Sequence, residues 1–382
     1  FEDTALYNYH PLVSANEVGA NAGDPVVTTD RLHDFLAERA RSSPATMNAS
    51  STHDSKRSED VRARINVLSE IPNRWETLLD TAIEQQRMEG DANDELLLLQ
   101  TLVGTWPLDG HIEPEYTERV RAYMLKAARE AKARTTWRDP DTAYEHALAA
   151  SVDNLLESPA CAQLRARIHD LASTVAQSGA LNALAQVIIK CTAPGVPDFY
   201  QGCELPFFAL VDPDNRRPVD FEHHAELLRQ LEPLIAAPDP RRVGELLENW
   251  PDGRIKLFVT AVALRHRRAH FEVFADGGYL RIAAVGDHAI RIAAFCRLHE
   301  GKYSLTVASR WLAALLPSPA AALPPENVWR NTALSLPADL PRTWRSILTG
   351  ERISSSEKDH LPVAAILRTF PSAILYAELN ER

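Results

Sequence analysis

The sequence predicts an α/β chain that finishes in an antiparallel β-domain, on three observations. Residues 45–49 are short and uncharged, and six ionisable side chains, His53, Asp54, Lys56, Arg57, Glu59 and Asp60, crowd the positions that follow. A helical period then begins at Val61, Ile65 and Leu68, which makes the stretch a βα unit. From residue 61 to about 193 the apolar spacing is almost entirely helical. After about residue 240, short apolar runs alternate with turn signals, the pattern of paired strands.

The element that organises the chain is residues 47–64. A strand that ends in polar groups and passes into a helix presents those groups at its C-terminal end, where α/β barrels carry their chemistry. His53 and Asp54 are the candidates there. The structural alternative is that Asp54 or Ser58 caps the helix and the other charges are solvated.

Before this unit, residues 1–19 mix aromatics with polar groups and hold no clean period. Such a mixture suits a sugar site, where rings stack on aromatic faces and hydroxyls bond carboxylates and amides; an ordinary loop with half-buried tyrosines is the alternative. Residues 32–41 read as a helix ended near Ser42, Ser43 and Pro44.

In the helical stretch, Trp75, Leu78, Leu79 and Ile83 share a face, as do Val120, Met124, Ala127 and Ala131, and Leu164, Ile168, Leu171 and Val175. Turn signals fall at Pro72-Asn73, Glu89-Gly90-Asp91, residues 107–110 and Asp139-Pro140-Asp141. Lys126, Arg129, Lys132 and Arg134 read as a solvated helix face, and Trp106 and Trp137 as structural aromatics.

Residues 181–190 form a further apolar helix. Pro194-Gly195-Val196-Pro197 then forces an extended turn before a strand at residues 198–202. The Asp212, Asp214, Asn215, Arg216 and Arg217 loop has two readings, a charge-assisted network that fixes a sugar ring or arginines that pair with neighbouring aspartates and brace the loop. Beyond it, residues 255–268 read as a helix and residues 278–284, 289–297 and 303–308 as strands. Residues 364–367 and 373–379 read as closing strands, and residues 317–325 as a Pro-rich loop.

Composition bounds the function. The 382 residues are 45% hydrophobic and 24% charged, enough for a large core and two or three units. A net charge of -11 disfavours nucleic acid, and no apolar run is long enough to cross a membrane. Cys161, Cys191, Cys203 and Cys296 are far apart, which points to neither a zinc site nor a disulfide scaffold and suits a reducing, cytoplasmic setting. Phe1 opens the sequence without a Met and directly inside a motif, so residues upstream are expected.

Several motifs carry a family resemblance. THDSKRSEDVRARI at residues 52–65 followed by VLSEIPNRW resembles the maltooligosyltrehalose synthases of the α-amylase superfamily. EDTALYNY and LVSANEVG, within residues 1–19, are similar to that family's EDTAFYRY and LVSLNEVG, and residues 194–221, PGVPDFYQGCELPFFALVDPDNRRPVDF, are nearly its own text. LLLLQTLVGTWP and KAAREAKARTTWRDP are also close. Ser55 stands for a commoner Thr, Cys203 and Pro206-Phe207 replace more usual residues, and residues 20–23 resemble a small insertion before Asp24-Pro25.

The resemblance implies the C-terminal part of a (β/α)8 barrel with an inserted helical subdomain and a C-terminal antiparallel β-domain. Residues 1–60 and 182–240 would be the last barrel strands and helices, 61–181 the subdomain, and 241–382 a helix plus the β-domain. It implies a retaining conversion of the reducing-end α-1,4 bond of maltooligosaccharides to an α,α-1,1 bond. Asp54 becomes the transition-state-stabilising carboxylate and His53 a donor to the transferred glucose. The substrate-binding set is Glu2, Asp3, Tyr7, Tyr9, Asn16, Glu17, His53, Lys56, Arg57, Tyr200, Gln201, Asp212, Asp214, Asn215, Arg216 and Arg217.

No motif for the nucleophile or general acid is found, so both are expected in a missing N-terminal half, without which the chain would be inactive. No metal or cofactor is called for. A maltooligosyltrehalose trehalohydrolase is the expected pathway partner. The alternatives are another α-glucan hydrolase or transferase of the superfamily, or a non-catalytic glucan-binding module.

Overall fold

The computed structural model describes residues 2–21, 23, 28–85, 91–355 and 359–379. In chain order the elements are α1 (Glu2–Leu6), α2 (Thr29–Ser42), β1 (Met47–Ala49), α3 (Glu59–Asn66), α4 (Pro72–Gln85), α5 (Ala92–Thr105), α6 (Pro114–Ala131), α7 (Thr142–Glu157), α8 (Ala162–Thr192) and β2 (Val196–Asp198). Then come α9 (Phe221–Ala236), α10 (Pro240–Glu248), α11 (Arg254–Ala269), α12 (Phe271–Ala275), β3 (Gly278–Val285), β4 (Ile292–His299) and β5 (Lys302–Ser309). The chain closes with β6 (Ala333–Ser335), β7 (Thr343–Ser346), β8 (Arg352–Ser354), β9 (His360–Pro362), α13 (Val363–Ile366) and β10 (Ser372–Glu378).

These elements fall into two compact units. Phe1–Pro25, Ser51–Ala180 and Phe207–Pro218 form the first, and Val26–Ser50, Leu181–Pro206 and Val219–Arg382 the second.

The first unit is helical. Gly104 lets α5 lie on α3, because a Cβ there would meet Ile65 Cδ1 at 2.8 Å and Val61 Cγ1 at 2.9 Å. Gly179 does the same for α8, where a Cβ would come within 2.9 Å of the Arg64 Cα. The helix starts follow the sequence: the Asp91 and Asp141 side chains accept the Asn93 and Tyr144 amides at α5 and α7. Val61, Ile65, Leu98, Leu102 and Val120 are wholly buried between these helices.

In the second unit, β1 and β2 pair in parallel, Met47 opposite Val196 and Ala49 opposite Asp198. The remaining strands make one antiparallel sheet in the order β8-β7-β10-β5-β4-β3-β6-β9. Phe295, Leu305, Val307 and Ile374 are buried on it. Against β3, His33 of α2 meets the Tyr279 hydroxyl at 2.6 Å.

Several elements differ from the sequence reading. The strand placed at residues 198–202 runs from Val196 to Asp198, and turns follow. The Val196 amide already donates to Thr46 at 2.9 Å, and Gly195, at φ +117°, lies so close to Thr46 and Asn48 that a Cβ would sit 2.6 Å from them. Residues 364–367 are not a strand. The apolar run after Pro362 coils as α13, the helix-or-strand ambiguity of short apolar segments. Residues 164–175 and 181–190 belong to one 31-residue helix, α8, and strands β6 to β9 were not foreseen. Residues 2–6 form a helix where no period was read. The turn at Glu89-Gly90 and the Asp24-Pro25 turn lie outside the described residues.

All four cysteines are buried and none is in a disulfide. Among the described residues, no helix is long and apolar enough to cross a membrane, and no group of three or more His, Cys, Asp or Glu is placed to hold a metal.

Candidate functional site

The loop after β1 is shaped by its own hydroxyls. Ser55 Oγ accepts the Thr52 amide at 2.8 Å and Thr52 Oγ1 accepts the Asp54 amide at 3.2 Å, a turn that small hydroxyl residues favour. His53 and Asp54 are thereby turned outward, with side chains 57% and 69% exposed and Nε2 3.2 Å from Oδ2. Neither Asp54 nor Ser58 caps α3 with its side chain. Ser51 Oγ accepts the Glu59 amide at 2.8 Å, while Ser58 Oγ donates to the Phe207 carbonyl oxygen.

Beneath the exposed pair the chain dives inward. Ser55, Lys56 and Arg57 are all buried, and the buried Glu17 carboxylate accepts the Lys56 amide at 3.0 and 3.1 Å and the Arg57 amide at 3.4 Å. Lys56 Nζ pairs with Asp3 and lies 5.4 Å from the centre of the Tyr7 ring. Arg57 donates to the Val13 carbonyl at 3.1 Å and to the Tyr123 hydroxyl at 2.5 Å. Burial pushes the Tyr7 and Tyr123 hydroxyls up, so both are neutral partners to these cations.

The opening segment supplies the same buried layer. Asn16 donates to the carbonyls of Leu6, at 2.9 Å, and of Tyr9. Tyr9 itself is 47% exposed. Glu2 begins α1, and its side chain lies outside the described residues.

The residue 212–217 turn holds the same loop. Asn215 donates to the His53 carbonyl at 2.9 Å. Asp214 collects Arg119 at 2.6 and 3.0 Å, the Leu210 amide at 2.8 Å and Arg217 at 3.1 Å. Arg216 pairs with Asp212. Both arginines therefore have loop aspartates as partners, the bracing reading of this turn. Tyr200 is half-buried and Gln201 exposed, both in the second unit.

Sequence reasoning missed Arg119 and took Lys126, Arg129, Lys132 and Arg134 for a solvated face, which holds for the exposed Lys132 and Arg134 but not for the half-buried Lys126 and Arg129. Lys126 donates to the Asp212 carbonyl at 2.6 Å, Arg129 pairs with Glu145 at 2.5 Å, and Lys132 and Arg134 reach Thr4 and Asp91. Arg129 and Thr135 hold the Glu145 carboxyl down to about 2. Glu115, Arg119, Ala122, Lys126 and Arg129 recur at helical spacing, so the stripe is legible in the sequence. What it faces is not.

The arrangement offers an exposed carboxylate and an imidazole on a loop held through its main chain. An anion so placed can stabilise developing positive charge on a sugar ring and accept its hydroxyls.

No family model matches the chain. It is 35% identical over 374 residues to a protein of Mycobacterium tuberculosis described as a putative maltooligosyl trehalose synthase, which covers 98% of this chain and 43% of that protein. The maltooligosyltrehalose synthase structure from Arthrobacter ramosus matches 99% of this chain and 44% of its own, with 35% identity and a TM-score of 0.79. A Sulfolobus tokodaii structure described as a hypothetical maltooligosyl trehalose synthase matches 99% of this chain and 45% of its own, with 29% identity and a TM-score of 0.73. The chain thus spans less than half the length of the relatives it matches.

Proposed function

We propose, from a relationship to the maltooligosyltrehalose synthases that runs through 98% of the chain, that these residues form part of a (1→4)-α-D-glucan 1-α-D-glucosylmutase. The substrate is a maltooligosaccharide. Its reducing-end α-1,4 bond is exchanged for an α,α-1,1 bond within the molecule, an isomerisation.

In this reading Asp54 stabilises the cationic glucosyl group and His53 donates to its hydroxyls. The single observation that carries the assignment is the outward Asp54 carboxylate, beside an equally outward His53, at the head of a buried and clamped stretch that begins at Ser55. Retention also needs a nucleophile and a general acid, and both are proposed to lie in the part of the relatives' length that this chain does not span. β1 and β2 are then neighbouring strands of a (β/α)8 barrel, with residues 61–181 as its inserted helical subdomain, residues 1–60 and 182–240 as its last strands and helices, and residues 241–382 as an appended helix and β-domain.

Glu17, Asn16, Lys56 and Arg57 are buried and Asp214 is half-buried, and all are committed to main-chain or ion-pair partners, which favours support of the sugar site over direct contact. In the first unit Tyr9 and Arg216 are more open to a substrate. The product would be consumed by a trehalohydrolase in the cytoplasm.

Product analysis on maltopentaose, with the chain completed by the part of the relatives' length that it does not span, tests the reading. A non-reducing trehalosyl oligosaccharide without loss of chain length is the expected product; newly released reducing sugar alone would identify a hydrolase and overturn it.

A further inference from the structure

A second recess lies in the first unit, between α6 and the turn at residues 211–217. It measures about 510 Å³, within the ~300–1,000 Å³ range of small-molecule clefts. Neither His53 nor Asp54 lines it. We infer that this recess is a carbohydrate-binding site with Trp137 as its platform, separate from the reacting end of the substrate.

Three observations carry the inference. Trp137 is 55% exposed, yet its ring is held in one orientation: Nε1 donates to Glu130 at 2.8 Å and the Arg129 guanidinium stands 4.7 Å from the ring centre. With Arg129 over one face of the exposed indole, the other flat face is left to stack a pyranose ring. Arg129 is itself fixed by Glu145, so the platform is preorganised.

The lining also carries acidic and basic side chains in equal number, among them Glu115, Glu118, Lys126 and Arg217. A recess with no net charge and both signs on its wall suits a neutral polyhydroxylated ligand, whose hydroxyls both donate and accept, and disfavours phosphate or polycation ligands. The choice of an α-1,4-glucan among neutral sugars rests on the proposed function. A bound chain stacked there would be gripped away from the bond that reacts.

Fluorine NMR on protein labelled with 5-fluorotryptophan reads the site directly. Trp137→Phe assigns the Trp137 resonance among the seven tryptophans. Titration of the Asp54→Asn protein with maltoheptaose should shift that resonance saturably, while equimolar glycerol does not. Trp137→Ala should raise the maltoheptaose concentration needed for half-saturation at least tenfold on other reporters of the recess, and Trp137→Phe should restore much of it. A Trp137 signal unmoved by both maltoheptaose and cellohexaose, or moved equally by glycerol, overturns the site. A shift with cellohexaose and none with maltoheptaose overturns its α-glucan assignment. If the shift persists while the protein completed by the part of the relatives' length that this chain does not span forms no trehalosyl product, the proposed reaction fails and the site stands.

Discussion

The side-chain amide of Asn215 donates to the carbonyl oxygen of His53 at 2.9 Å, so one buried residue of the 212–217 turn fixes the main chain that carries the exposed pair. Asn215→Ala removes the bond without touching a catalytic atom. We expect kcat to fall about tenfold with KM nearly unchanged, and unfolding free energy to drop by about 1–2 kcal/mol, read by urea titration. An unchanged rate would detach this contact from catalysis.

Glu17 holds the same loop from the other side. Glu17→Ala strands the Lys56 and Arg57 amides in a buried site, which should cost about 1–3 kcal/mol. Glu17→Gln keeps an acceptor oxygen and should recover a substantial part. Equal melting temperatures for the two variants would show that the amides find other partners.

Asp54→Asn preserves shape and removes the charge. In the enzyme completed by the part that this chain does not span, steady-state kinetics on maltopentaose should show kcat lowered on the order of 10²–10³-fold with a much smaller change in KM. Parallel loss of rate and of folded protein would make the residue structural.

The sequence made the loop legible because its turn is built locally: small hydroxyls at Thr52 and Ser55 bond neighbouring amides, and the charges beyond them form one dense cluster. The roles inside that cluster were not legible. Lys56 and Arg57 are as polar as His53 and Asp54, and partners distant in sequence, Asp3, Tyr7, Val13, Glu17 and Tyr123, hold them inward. Arg119 and Asp214 lie far apart in sequence, so neither reveals the other. Among the strands, β3 to β5 carry long apolar runs and were found, whereas β6 to β9, three or four residues each, hold too few positions to establish a period.

Acid should destabilise the second unit through His266. Burial holds this imidazole down to about 3, Nε2 lies 3.1 Å from Ser304 Oγ, and His270 and Tyr376 pack beside it. An unfolded histidine titrates near 6.5. Between those values the unfolded chain binds a proton that the folded chain refuses, so stability falls as pH drops below 6.5, by up to about 1.4 kcal/mol per pH unit. Chemical denaturation from pH 7 to 4 should show a shallower decline for His266→Gln.

Gly179→Ala should destabilise the first unit despite the better helix former, by about 1–3 kcal/mol, because the new methyl would meet the α3 backbone at Arg64. Calorimetry that finds a raised melting temperature would contradict this contact.

Glu17 and Asn215 grip peptide groups, not side chains, at His53, Lys56 and Arg57. The identity of the outward residues is therefore uncoupled from the path of the ribbon that bears them. Positions 53 and 54 can be exchanged for other chemistries as tools are changed in a fixed chuck, which makes this short segment the natural place to redirect what the scaffold acts upon.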